Sequence, residues 1–577
     1  MKRAAILLTG AIMMATAAHA QTADEALTSL TDAEYGWRSA QLPPSEDRAD
    51  TLFHLPDVSP AAQAAKLKRW SDTLAALDRI DPSALSPGQK VNYAVYRGQI
   101  EALLAEQRFR DWEKPLNSDT SFWGDLGYVA RAAFRTEADY RAYIAMLRDM
   151  PRYFDQNIAN MRAGLARGFT PARITLKGRD IGVAQVAEAK TPEANLFYEP
   201  FRRMPASIPA AKQAALRADA AAAIREAVVP AHAKLLAFLR TEYEPGARTA
   251  LAAYDLPDGR AYYASKVREF TTLDLTPEQV HEIGLAEMAR IRTRMEEVKQ
   301  QAGFQGDLPA FLAFLRTDPQ FYAKTPQELL NRAAWIAKTF DANADQYFGH
   351  LPRRRFAIKP VPDDLAPFYT GGRGGPGIYL VNTWNLPARP LYSLVALTLH
   401  ESAPGHAFQM PLAAENKDLP AFRRDSYLSV YGEGWALYSE ILGEEMGMYE
   451  TPYDLFGMLS YQAWRASRLV VDTGLHAKGW SREQAQAYLK DNTALAPHEI
   501  ETEVDRYIAW PGQALSYYVG QLAILKARRR AETELGEQFD IRAFHDAILA
   551  LGSAPVSEIE RRTDELIAAG GKWSNPD

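Results

Sequence analysis

Apolar residues recur at three-and-four spacing along most of this chain, and that periodicity limits its fold more than any other feature. The stretches AAQAAKLKRWSDTLAALDRI (61–80) and AAKQAALRADAAAAIREAVVPAHAKLLAFLR (210–240) both carry it. Side chains so spaced share one face of a 3.6-residue turn, the mark of an amphipathic helix. The clearest case is TPEQVHEIGLAEMARIRTRMEEVKQQ (276–301). Thr276 can cap it, Pro277 suits the first turn and Gln279 completes a capping box. Val280, Met288, Ile291, Met295 and Val298 then form a core-facing stripe. Such segments follow one another with short Pro/Gly turns between, and no repeat of about 34 or 42 residues marks a solenoid. The expected fold is mainly α: a large two-lobed helical body around a deep groove, with a small β element next to the helix that carries the site.

At 577 residues the chain exceeds the usual range of a single core, so two lobes are the default. The turn-rich EPGARTALAAYDLPDGRAYY (244–263) suggests a division into 21–255 and 256–577. Residues 1–20 read as a secretory signal peptide: Lys2 and Arg3, an apolar run, then Ala18-His19-Ala20 before Gln21. The apolar run is too short for a stable bilayer span. With no cysteine the chain has neither disulfides nor a lipid-anchoring thiol, so the expectation is an exported protein without a membrane anchor, in a bacterial periplasm. The formal charge of −6, with both signs mixed along the chain, gives no support to a nucleic-acid surface. Oligomeric state leaves no mark in the sequence.

Chemistry concentrates in TLHESAPGHAFQ (398–409). Residues four apart lie about 40° apart around a helix, whereas six apart differ by about 240°, so a straight helix would turn His406 away from His400. Pro404 lacks an N–H and clashes with the preceding turn, Ala403 is pushed out of α conformation, and Gly405 accepts most backbone angles. A break or two-residue bulge at 403–405 would bring His406 round to His400. The same Pro-Gly pair also suits a plain helix stop. Downstream, YGEGWALYSEILGEEMG (431–447) offers Glu433 among apolar and aromatic neighbours, either as a third metal ligand or as a solvated acid near a helix start. Glu440, seven residues on, shares its face and is a competing ligand or a group behind the ligands. Two imidazoles and a carboxylate suit one Zn2+ ion, with Glu401 placed as general base. The oxyanion formed on attack then needs a donor from elsewhere. Upstream, the glycine-rich FYTGGRGGPG (368–377) reads as a flexible loop. IYLVNTW (378–384) reads as a strand, Tyr379 included, able to hydrogen-bond an extended peptide.

The blocks LPDGRAYYASKVREFTTLDLTPEQVHEIGL, PGIYLVNTWN, TLHESAPGHAFQ, YGEGWALYSE, RLVVDTGLHAKGWS and EVDRYIAWPGQALSYYVGQ occur in order. Together they resemble the bacterial domain of unknown function 885 family, whose motif is H-E-x-x-P-G-H and which looks like a distant branch of the gluzincin metallopeptidases. The resemblance implies His400 and His406 as ligands, Glu433 as the third and Glu401 as base. It also draws attention to His476, Arg506, Gln513 and Tyr517. Tyr517 is implied as oxyanion donor, and His476 as a second donor or as the group orienting a ligand. Arg506, with Gln513, would bind a peptide carboxylate or pair with Glu503 or Asp505. Many members carry a second histidine directly after His406, where this chain has Ala407. The function expected is a zinc-dependent peptidase acting on short peptides, with carboxypeptidase or dipeptidase action the leading forms. A helical peptide-binding scaffold with a degenerate site, or an amidase with a non-peptide substrate, is the alternative.

Overall fold

The computed structural model describes residues 22–42, 54–118, 120–363 and 365–574; the expected leader at 1–20 lies outside them. Helices dominate, as the periodicity predicts. Those framing the site are α1 (Pro277–Gln301), α2 (Leu394–Glu401), α3 (His406–Glu415), α4 (Ser429–Glu445), α5 (Pro452–Ala477), α6 (Pro497–Ala509) and α7 (Ser516–Leu535). In α1 the Thr276–Gln279 capping box is formed in both directions, and Val280, Met288, Ile291, Met295 and Val298 are all buried. The expected helix at 210–240 runs from Ala210 to Ala223 and from Val229 to Phe238, joined by a wider turn at Ile224–Val228. Pro230, which cannot donate to that ladder, sits at the start of the second piece.

α1 packs along α5, and α4 along α7. The second pair meets backbone to backbone: a Cβ on Gly434 would lie 2.5 Å from the Gly520 carbonyl carbon. Only glycine on both helices permits that approach, and it draws the segment carrying Glu433 deep into the body. The apolar clusters do not follow a cut at residue 255. One joins Leu27, Trp70 and Tyr96 of the N-terminal helices to Phe408, Trp435 and Ile548. A second is built wholly between residues 55 and 247, and a third surrounds α1 and α5.

A three-stranded sheet has the order β1 (Ala357–Pro360), β3 (Ile378–Val381), β2 (Gly372–Gly375), with β1 parallel and β2 antiparallel to β3. The strand expected at 378–384 is therefore β3, ending at Val381, where the Asn382 amide donates to the carbonyls of Ala366, Tyr369 and Thr370. The glycine run expected as a flexible loop is instead β2, turned into β3 by Pro376 and Gly377, the latter at φ +90°. A cleft of about 3200 Å3 opens between the N-terminal helices and this sheet, its deep wall formed by α2 to α7. No helix among the described residues is long and apolar enough to cross a membrane.

Candidate metal centre

α2 is an apolar helix that buries His400 to 2% exposure, and it ends at Glu401. The expected bulge is a complete break. Ser402 leaves helical geometry, the Ala403–Pro404 peptide is cis, and a new helix starts at His406. Gly405 donates to the Leu399 carbonyl at 3.0 Å, so close that a Cβ would lie 1.8 Å from the His400 carbonyl oxygen. The indole of Trp435 on α4 donates to the Pro404 carbonyl at 2.8 Å, satisfying an acceptor that the break leaves over. The two short motifs of the sequence thus hold each other in place.

The break turns the two imidazoles face to edge, with centroids 5.0 Å apart and planes at 87°. Glu433, in the second turn of α4, enters between them. Its Oε2 lies 3.4 Å from His400 Nε2 and 3.3 Å from His406 Nε2. The ligand atoms of the three residues all lie within 4.8 Å of one another, an arrangement that could hold a metal ion. Zinc bonds of about 2.0–2.1 Å in a tetrahedron require edges between ligand atoms of about 3.3 Å. The two Glu433 edges, at 3.3 and 3.4 Å, are compatible with that requirement, so these residues could hold one metal ion.

Glu440 resolves as the group behind the ligand. His400 Nδ1 donates to Glu440 Oε1 at 2.8 Å, which fixes the Nδ1–H tautomer and leaves Nε2 facing Glu433 and His406. Glu433 and Glu440, two turns apart on one face of α4, therefore address the two nitrogens of a single imidazole. Burial opposes charge on His400, but the bonds to Glu433 and Glu440 outweigh it and push its pKa up to about 9. Burial likewise opposes charge on Glu433, yet His406 and His400 hold its carboxyl well below the usual range. This is a pocket that attracts positive charge. His406 Nδ1 has no protein partner, so the Nε2 contact with Glu433 and packing set its ring. Ala407 is buried and lines a small separate recess with Ala403 and Phe408, so this position presents nothing to the site.

Glu401 stays beside the ligands on the cleft wall, where the Gly374 N–H of β2 donates to its Oε2 at 2.6 Å. A Cβ on Gly374 would fall 1.7 Å from the Glu401 carbonyl oxygen, so glycine is required where this strand edge meets the end of α2. Tyr427, which sequence reasoning passed over, donates to Glu433 Oε1 at 2.9 Å. Tyr517 stands over His400, the rings 14° from parallel with centroids 6.3 Å apart. Arg506 donates to Tyr517 Oη at 3.3 Å and to Gln513 Oε1 at 2.9 Å. Its ion-pair partner is Glu503 at 3.5 Å, while Asp505 is taken by Arg482. Tyr517, Arg506 and Gln513 therefore gather on the cleft wall next to the three ligands.

Two expected residues do not join them. His476 is fully buried in α5; it accepts from the Ala253 N–H at 3.1 Å and donates to the Tyr507 carbonyl at 2.9 Å. Burial, only partly offset by the Tyr507 bond, depresses its pKa to about 3. With both nitrogens engaged it ties α5 to α6 and to the turn at 253, and it neither donates to substrate nor orients a ligand. Tyr379 is also fully buried, facing Thr398 behind α2. Its strand β3 is flanked on both sides, so although Ile378 and Leu380 line the cleft, the sheet edge there belongs to β2.

Two solved structures share this architecture. A solved structure described as a candidate lipoprotein from Colwellia psychrerythraea matches with 26% identity and a TM-score of 0.87, covering 95% of this chain and 100% of that one. Another, described as a candidate lipoprotein of unknown function from Shewanella oneidensis, shares the fold at 18% identity and a TM-score of 0.69, over 94% and 99% of the two chains. The M32 carboxypeptidase from Deinococcus radiodurans R1 aligns at 14% identity over 88% of this chain and 100% of that one, with a TM-score of 0.28, too low to bear on either fold or function. No curated protein matches the chain. The family model described as bacterial protein of unknown function, DUF885, matches residues 48–562, and the chain belongs to that family.

Proposed function

We propose that this protein is an exported, zinc-dependent hydrolase of short peptides. The observation that carries the reading is the position of Glu433 Oε2, at 3.3 and 3.4 Å from the two imidazole Nε2 atoms, with His400 locked from behind by Glu440. A structural ion cluster would not need a cleft; this one lies on the wall of a cleft of about 3200 Å3. Small-molecule pockets run to about 300–1,000 Å3, so the space suits a peptide of several residues. Export rests on the leader pattern at 1–20, and the solved relatives described as candidate lipoproteins agree with it.

His400, His406 and Glu433 would hold the ion, leaving a position for water. When bound, zinc lowers the pKa of such a water towards ~7 and polarises a carbonyl. The chain's own residues supply the rest. Glu401, held by the Gly374 N–H, takes the proton of the attacking water and delivers it to the leaving amine. Tyr517, whose hydroxyl receives a bond from Arg506 and so keeps its own proton free, donates to the oxyanion. The β2 backbone, in place of Tyr379, lies alongside the substrate. Gln513 and Arg506 fix the Tyr517 side of the cleft.

The test is metal content of the purified mature protein, followed by cleavage of a short-peptide library with and without chelator. Stoichiometric zinc with chelator-sensitive cleavage supports the reading, and absence of metal removes it. Glu401→Gln should keep the zinc and lose about 10²–10⁴-fold in turnover. Unchanged turnover would exclude Glu401 as the base.

A further inference from the structure

Beside the three ligands, the cleft wall contains cationic groups whose hydrogen-bonding capacity the protein does not fill. Arg465 and Arg468 lie one turn apart on α5, at 3% and 1% exposure, and both border the cleft. Aromatic faces hold them in place. The Arg465 guanidinium lies 3.8 Å from the Trp464 ring centroid and 4.5 Å from that of Tyr461. The Arg468 guanidinium lies 4.2 Å from the Tyr517 centroid. Arg468 spends part of its fork on Glu503 Oε2 at 2.8 Å and on Tyr507 Oη at 3.0 Å, but its Nη1 has no protein acceptor. Arg465 is less satisfied still. Its Nε and Nη1 have no protein acceptor, and its nearest carboxylate oxygen, Glu440 Oε1 at 3.7 Å, already receives the His400 bond. A buried guanidinium without an acceptor is costly, and a planar fork is matched best by a carboxylate.

We propose that Arg465 and Arg468 receive a carboxylate of the substrate, and that this fixes which bond meets the metal centre. The inference rests on the hydrolase reading and deepens it by naming the substrate class. Both guanidiniums are one group removed from His400: a single oxygen of Glu440 accepts from His400 and lies 3.7 Å from Arg465, and the Tyr517 ring faces both His400 and Arg468. A carboxylate seated there lies close to His400 and so near the bond to be cut. The C-terminal carboxylate of a short peptide meets that condition, making the enzyme a trimmer of chain ends. An acidic side chain on the residue after the bond is the other source of the same group.

The test uses the full-length, zinc-loaded Glu401→Gln protein and fluorescent tetrapeptides, with the Kd read by anisotropy. One peptide has a free C-terminus and neutral side chains, one is its C-terminal amide, and one is an amide whose last residue is glutamate. The free acid should bind about 10- to 100-fold tighter than the amide. Adding Arg465→Met should abolish that preference, and Arg465→Lys should keep part of it, since charge remains but the fork is lost. Recovery of tight binding by the glutamyl amide alone assigns the carboxylate to a side chain and keeps the arginine pair as its receptor. Equal Kd values for all three peptides, or a preference that survives Arg465→Met, overturn the proposal. Because binding is read without turnover, those results leave the hydrolase reading standing, and that reading falls separately if zinc-loaded wild type cleaves none of the peptides. Should Arg465→Met not fold, the acid-to-amide ratio on Glu401→Gln decides alone.

Discussion

Replacing Glu440 by glutamine probes whether the centre depends on the group behind its ligand. In the wild type, His400 Nδ1 donates to Glu440 Oε1 at 2.8 Å inside a fully buried site. Glutamine is nearly isosteric and its carbonyl can still accept that bond, so the ring orientation and tautomer survive and only the charge goes. A hydrogen bond to a charged partner contributes about 1.5–3 kcal/mol and a neutral one about 0.5–1.5. The difference of about 1.4 kcal/mol corresponds to a tenfold loss of zinc affinity, and groups behind metal ligands typically give 10–100-fold. The bond from Tyr449 goes to the main-chain carbonyl of residue 440 and is untouched by the substitution. The assay is zinc titration against a chelating indicator of known affinity, with a thermal melt of the metal-free protein as control. A loss within threefold would refute the claim that Glu440 strengthens His400. A loss beyond about 10⁴-fold would mean that a ligand itself had been removed, exchanging the roles of Glu433 and Glu440.

Tyr517→Phe should leave zinc affinity unchanged and lower kcat by about 10²–10³-fold, the cost of one oxyanion donor; an unchanged kcat would assign that role elsewhere. Gly374→Ala would drive a methyl to 1.7 Å from the Glu401 carbonyl oxygen and push β2 off the end of α2. Activity should then fall while zinc stoichiometry stays, and full activity would show that the Gly374–Glu401 bond is dispensable. The buried neutral histidine at 476 makes a pH prediction, since burial holds its pKa at about 3 in the native state against about 6.5 unfolded. As pH falls below about 6.5 the unfolded chain takes up a proton that the native protein refuses, so this group removes about 1.4 kcal/mol of stability per pH unit. Denaturant unfolding of His476→Gln should show nearly that much less loss per unit between about pH 5.5 and 4.5 than wild type, and parallel slopes would contradict the assignment.

The sequence by itself determined what depends on neighbours along the chain. Helical spacing specified α1 with its buried stripe, because the period of the helix sorts side chains into faces wherever the chain runs. Pro404 and Gly405 specified the break that lets His406 meet His400, because a missing N–H and a missing Cβ act locally. The same logic, with the acid set among apolar residues in YGEGWALYSE, pointed to Glu433. Only the tertiary structure decided which distant surfaces face each other. It placed Glu440 on the far nitrogen of His400, a choice between two acids on one helix face that spacing leaves open. It turned the glycine run into a strand because Gly374 is pressed against Glu401, a contact across 27 positions that composition cannot announce. It buried His476 and Tyr379, whose sequence blocks suggested chemistry, since a motif residue can be kept for packing as well as for reaction. And it set Arg465 and Arg468, the two arginines of a long buried helix, against the cleft with unfilled donors, because burial and partnership belong to the assembled body and not to any segment of it.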